Sequence, residues 1–232
     1  MTHYVVNTDR VSKIAASFTR ARIFGGVVAC TIVWSAAGAD LDINVRDRSG
    51  QPIGEVVVLL EPLAGEAKPN SPPASAVVDQ LHQQFVPGVI AVRTGTAISF
   101  PNSDTVSHQV YSCSPAKRFE LGLYRGVPRD PIVFDKPGIV VLGCNIHDNM
   151  IGYVYVTDAP YFGTTDADGH FRSALPLGKY RVHVWSPRLS TQDNATEREL
   201  TVTRESQSVA IDVAGPVRAS VAEQKVRRLR DY

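Results

Sequence analysis

Gly138-Ile-Val-Val-Leu-Gly143-Cys144-Asn-Ile-His147-Asp-Asn-Met150-Ile-Gly152-Tyr-Val-Tyr-Val156 decides how this chain reads. Residues 139–142 are apolar and mostly β-branched. Residues 152–156 place aromatic and β-branched side chains after a glycine. Both runs are too short for buried helices, and both have strand composition. The seven residues between them are polar and carry a thiol, an imidazole and a thioether. The pattern is strand, loop, strand, with a glycine on each side of the loop. Met150 is the only methionine besides Met1, so the sulfur chemistry of the chain concentrates here.

A cysteine, a histidine and a methionine at this spacing suit a soft transition metal, copper above all. One further imidazole would complete a two-histidine, one-cysteine site with a weak thioether, the donor set of electron-transfer copper. His108, 36 residues before Cys144, is the candidate. Two other readings of the same residues stand beside this one. A cysteine and a methionine in a β-rich chain are often core residues. Zinc also takes cysteine and histidine, but its structural sites use four such ligands, often in Cys-x₂-Cys pairs, and no such pair occurs.

With these residues in view, the segment from Gln83 to Thr157 resembles the cupredoxins, the plastocyanin–amicyanin family of blue copper proteins. The matching elements are Phe100-x-Asn102-x-Asp104-x₃-His108, Gly138-x₅-Cys144, Cys144-x₂-His147-x₂-Met150 and Gly152-x-Val154-x-Val156. The short ligand loop looks most like that of amicyanin. The resemblance implies one copper ion per chain, with His108 and His147 as imidazole ligands, Cys144 as thiolate and Met150 as axial thioether. It implies a single-electron carrier whose electron port is His147. The chain departs from the family pattern at three places. Asn145-Ile146 replaces the common proline between cysteine and histidine, Gln109 stands where asparagine often follows the first histidine, and Asp148 follows His147.

The remaining chain is also β-patterned. Residues 41–60 read as an alternating strand, an Asp-x-x-Gly turn and a second strand. Residues 163–189 repeat strand–turn–strand, and Glu199–Thr203 and Val209–Val213 add two alternating strands. Leu41, Ile43 and Val45 form one apolar face, as do Tyr180, Val182 and Val184. Neither strand pair buries enough alone. These blocks resemble the carboxypeptidase regulatory-like (transthyretin-like) β-sandwich, in which they belong to one domain. The expectation is an all-β chain: a cupredoxin Greek-key sandwich at 77–157, inserted into a second sandwich built from 40–62 and 158–214. Insertion suits a unit whose termini lie close together. The alternative is an extension before the cupredoxin and a separate sandwich after it. Residues 62–76, rich in proline, alanine, glycine and serine, read as a linker. Asp166-Ala-Asp168-Gly169 reads as a hairpin turn, since it lacks the remaining ligands of a calcium loop. Residues 215–232 read as a solvated basic tail.

The N-terminus carries Arg10, Lys13, Arg20 and Arg22, an apolar stretch from Ile23 to Trp34, and Ala37-Gly38-Ala39. This is the layout of a secretory signal peptide over residues 1–39, and it places the rest in the periplasm or otherwise outside the cytoplasm. An uncleaved anchor, and a lipoprotein attached at Cys30, are the alternatives, and all three export the body. The body has no other long apolar run, so no membrane insertion is expected after cleavage.

The whole chain holds 24 Lys+Arg against 23 Asp+Glu. This near-neutral balance offers no basic patch of the kind nucleic acid requires. Cys113 and Cys144 are not expected to pair, because a disulfide would consume the thiolate. Cys113 is expected to point away from His108, Val110 and Ser112 and to serve as a small apolar filler. No His-x-His pair and no Gly-x-Ser-x-Gly elbow occur, so no enzyme is expected. The functional expectation is an exported mononuclear copper protein that exchanges electrons with a redox partner such as a cytochrome or dehydrogenase. The competing classes are a copper chaperone or sensor that hands the metal over, and a binding module that has lost its metal.

Overall fold

The structure is a computed structural model, and it describes residues 38–65, 74–128, 130–191 and 197–219. Residues 1–37 of the expected leader and 220–232 of the basic tail lie outside the described residues, whereas the start of that tail is not solvated: Val217 packs on the core and the Arg218 N–H donates to the Arg188 carbonyl at 2.9 Å. Gly38 and Ala39, assigned to the leader from sequence, already run in the first strand, and Ala39 is buried.

The chain is all-β. Its strands, in order, are β1 (Gly38–Arg46), β2 (Val57–Pro62), β3 (Ser75–Val77), β4 (Asp79–Leu81), β5 (Gln84–Val86), β6 (Val89–Arg93), β7 (Thr96–Ser99) and β8 (His108–Ser114). There follow β9 (Lys117–Tyr124), β10 (Ile132–Phe134), β11 (Gly138–Gly143), β12 (Ile151–Thr157), β13 (Tyr161–Thr164), β14 (His170–Pro176), β15 (Gly178–Trp185), β16 (Glu197–Val202) and β17 (Gln207–Asp212). Among the described residues no helix is long and apolar enough to cross a membrane.

Two pairs of sheets form. One pair comprises β14-β1-β17 and β13-β2-β15-β16. The alternation of β1 sends Leu41, Ile43 and Val45 inward, where they meet Val58 and Leu60 of β2 and Tyr180, Val182 and Val184 of β15. The second pair comprises β6-β12-β11-β8-β9 and β10-β7-β3, with the short β4-β5 hairpin beside them. Its core gathers Ile98, Phe100, Val110, Phe134, Val140, Leu142, Val154 and Val156. Among the described residues, strands β1 and β2 pair only with strands from residues 161–212, although residues 75–157 intervene in sequence. Ser75 and Ala76, the C-terminal end of the expected linker, are not linker but the first two residues of β3. It pairs in parallel with β7, and so belongs to the second sheet pair.

Strand β2 is buried on both sides over Val57–Leu60. Val58 and Leu60 enter the first core. Val57 and Leu59 face a separate cluster with Val89, Ala159 and Trp185, against which Tyr153 and Tyr155 pack. Strand β12 divides the same way, with Val154 and Val156 in the second core and the two tyrosines in the seam. Side-chain period two thus lets two single strands join the sheet pairs. The Trp185 ring lies 5.9 Å from that of Tyr153 and 5.3 Å from that of Tyr155, centroid to centroid. Trp185→Ala is expected to cost about 3–5 kcal/mol of folding stability, the usual range for emptying a buried aromatic site. Denaturant unfolding measures this, and a loss near zero would show that the seam contributes nothing to stability.

Candidate metal centre

The five-stranded sheet assembles the site. Strand β11 lies between β12 and β8, and Gly143 sits opposite Tyr111. This register brings His108, at the start of β8, to the loop that leaves β11. Cys144 is the first residue of that loop, and Met150 is its last before β12. The Met150 backbone N–H donates to the His147 carbonyl at 2.9 Å and closes the loop into a turn.

The two glycines that flank the loop are needed for close approach. A Cβ on Gly143 would stand 2.8 Å from the Tyr111 ring, and one on Gly152 would stand 2.9 Å from Phe85 Cβ. An aromatic side chain therefore closes on the backbone at each end of the loop.

One ligand atom each from His108, Cys144 and His147 lies within 4.8 Å of the others, the only such group among the described residues. His108 is fully buried, Cys144 and Met150 are buried in the same core, and His147 is half-buried. His108 Nε2 contacts Asp104 Oδ2 at 2.9 Å. An ionised carboxylate only accepts, so Nε2 carries the hydrogen and Nδ1 has the free lone pair. That Nδ1 lies 4.0 Å from Cys144 Sγ. His147 Nδ1 is buried with no hydrogen-bond partner among the described residues. Buried polar atoms are rarely left so. An imidazole nitrogen of His108 with a free lone pair and an unpartnered imidazole nitrogen of His147, beside a buried thiol, fit a soft metal ion.

Asp104 was legible as part of a motif but not for what it does. Its hydrogen bond from His108 holds its carboxyl well below the usual carboxylate range, with further help from the backbone N–H groups of Gln83 and Thr105 and against the effect of burial. Asn102, also buried, fixes the approach to His108 by donating to the carbonyls of Val106 at 3.0 Å and Tyr124 at 2.7 Å. Gln109 and Asn145 were noted only as departures from a pattern. In the fold they meet, with Asn145 Nδ2 donating to Gln109 Oε1 at 2.8 Å, so the ligand loop is tied to β8. Gln109 donates in turn to Glu120 on β9.

Cys113 corrects an expectation. It lies on the opposite side of β8 from the buried Val110 and Ser112, but it is exposed and fills no core. Strand parity gives the face of a residue without telling whether that face is covered. Both Cys113 and Cys144 are free thiols.

No family model and no curated protein matches the chain. Solved structures match part of it. A purple cupredoxin from Nitrosopumilus maritimus is 21% identical over 35% of this chain and 99% of its own, with a TM-score of 0.32. A reduced amicyanin variant is 16% identical over 43% of this chain and 99% of its own, with a TM-score of 0.30. A copper-containing nitrite reductase from Thermus scotoductus is 27% identical over 42% of this chain, with a TM-score of 0.34. This chain covers 25% of that enzyme's length.

Proposed function

We propose that the chain is an exported, mononuclear type 1 copper protein that carries single electrons. One observation carries the reading: two imidazole nitrogens and a thiol sulfur converge within 4.8 Å at a buried site on a rigid sheet. Met150, buried in the same core, serves as the weak fourth donor. Copper, when bound, supplies the one-electron couple between Cu(I) and Cu(II). The protein's own residues do the rest. Asp104 fixes the tautomer and orientation of His108, as outer partners of ligating histidines do. The Gln109–Asn145 bond holds the loop to the sheet. Core packing around Cys144 and Met150 excludes water.

Within the same proposal, the ligand-bearing strands 75–157 are a cupredoxin inserted in a transthyretin-like sandwich, and the pairing of β1 and β2 with β13–β17 supports this. His147 is the electron port, since it is half-buried and follows the exposed Ile146. The partner is a redox protein such as a cytochrome or dehydrogenase. The leader pattern of residues 1–39 supports export to the periplasm.

Titrating Cu(II) into purified protein without its leader tests the reading. One equivalent should produce an intense visible thiolate-to-copper band and a matching EPR signal. The protein should then cycle between oxidised and reduced forms without losing metal, whereas a chaperone would release it. Met150→Leu should retain copper and raise the reduction potential. A weak thioether donor favours Cu(II), so its removal favours Cu(I). Complete loss of copper, or an unmoved potential, would count against Met150 as a ligand.

A further inference from the structure

Three non-glycine residues among those described hold a left-handed backbone: Glu55 at φ 59°, His82 at 54° and Gln83 at 57°. Such conformations are unfavourable for residues with a Cβ and persist where the surroundings impose them. All three lie on one line of contacts. It runs from the sandwich of β1, β2 and β13–β17 to His108.

At one end, Glu55 precedes β2. Its backbone N–H donates to the Thr165 carbonyl at 3.3 Å, inside its own sandwich. Its side chain crosses to the other sandwich, where Oε1 accepts from the Gly88 N–H at 3.2 Å. A Cβ on Gly88 would stand 2.9 Å from that oxygen, so a larger residue there would push the Glu55 carboxylate aside. Gly88 follows the β4-β5 hairpin after one residue, Pro87.

At the other end is the hairpin's turn. Leu81 pairs with Gln84, leaving His82 and Gln83 as a two-residue loop. With positive φ at both positions this is the type I′ form of such a loop, which favours Asn-Gly. Here neither residue suits the turn. The Gln83 N–H donates to Asp104 Oδ2 at 2.8 Å. The same oxygen receives His108 Nε2 at 2.9 Å. Between the two ends, Phe85 is buried and packs on Gly152, two residues beyond Met150. The hairpin therefore touches both segments that carry ligands. With three residues per strand it has little stability of its own. Gln80 anchors β4 to the Phe100 and Pro101 carbonyls, the turn is held by Asp104, and the exit from β5 is held by Glu55 together with the Tyr153 N–H, which donates to the Gly88 carbonyl at 2.9 Å.

We propose that the flanking sandwich positions His108 at the metal centre, with Glu55 as the latch, the β4-β5 hairpin as the arm and Asp104 as the carboxylate shared between arm and ligand. This rests on the metal-centre reading above. It assigns the second sandwich a role: it sets the geometry of a site to which it contributes no ligand. Glu55 and Gln83 are positioning residues, acting through Asp104.

Three variants of the full chain test it, with Cu(II) itself as probe in competition with a chelator. Asp104→Asn should weaken copper binding by roughly 10–100-fold, the usual cost of losing an outer partner of a ligating histidine. Glu55→Gly removes the latch and suits the left-handed backbone. It should weaken binding by about tenfold, the low edge of that range, and shift the visible band. It should also move the His108 imidazole NMR resonances of the metal-free protein. Glu55→Gln keeps an accepting oxygen and should restore all three readouts. Unchanged affinity, band and His108 resonances in Glu55→Gly would overturn the proposal. So would an equal loss in the glycine and glutamine variants accompanied only by a lower Tm. If the wild-type protein gives no thiolate band, the metal-centre reading fails by itself, while the His108 resonances of the metal-free variants still decide whether the latch reaches that ring.

Discussion

Cys144→Ala abolishes the visible charge-transfer band of the copper-loaded protein and leaves the fold in place. This is the largest spectroscopic effect expected of any single substitution. The band arises from a thiolate bound to Cu(II), and the other cysteine of the described chain, Cys113, is exposed and outside the group formed with His108 and His147. Removing one buried heavy atom costs only about 1 kcal/mol of stability, so the variant should unfold near the wild-type denaturant midpoint. Residual copper bound through the two imidazoles would be weakly coloured. An intense band surviving in Cys144→Ala would refute the site assignment. Zinc accepts the same nitrogen and sulfur donors and can occupy recombinant protein, but copper should displace it.

Deleting residues 38–62 has the largest expected effect on stability. Strand β1 is the middle strand of its sheet, and β2 lies inside the other sheet between β13 and β15. Without β1, strands β14 and β17 lose their only shared partner. Without β2, β13 separates from β15, and Val58 and Leu60 leave the core. The block from residue 158 to 214 should then be cut rapidly in limited proteolysis, while the β7–β12 region that presents the ligands persists longer. Mass spectrometry of the fragments decides this. Equal resistance of both blocks, or earlier loss of the ligand-bearing one, would show that β1 and β2 are not integral to the flanking sandwich.

The candidate site was legible because soft donors are scarce and cluster in seven residues, and because glycine and β-branched runs frame them. Only His108 had to be brought from a distance. The pairing of β1 and β2 with the C-terminal strands was legible from alternation, since Leu41, Ile43 and Val45 needed a partner face and Tyr180, Val182 and Val184 offered one. What alternation hides is the environment of the second face. It gave the side of β8 on which Cys113 lies but not its exposure. It gave β2 as a strand but not its burial on both sides. Hydrogen bonds between side chains far apart in sequence, such as Asn145 to Gln109, leave no periodic trace. Nor does a left-handed backbone at Glu55, His82 or Gln83, whose side chains give no sign of it.

Trp185 sits in the seam between the two sheet pairs, and the chain's other tryptophan, Trp34, belongs to the expected leader. Once that leader is removed, all indole emission originates at the junction. The protein then carries its own optical gauge of whether its halves are joined. A red shift on partial denaturation would report the seam opening to water, while the copper band independently reports the state of the ligands. The order in which the two signals change would show whether the halves part before the metal is lost.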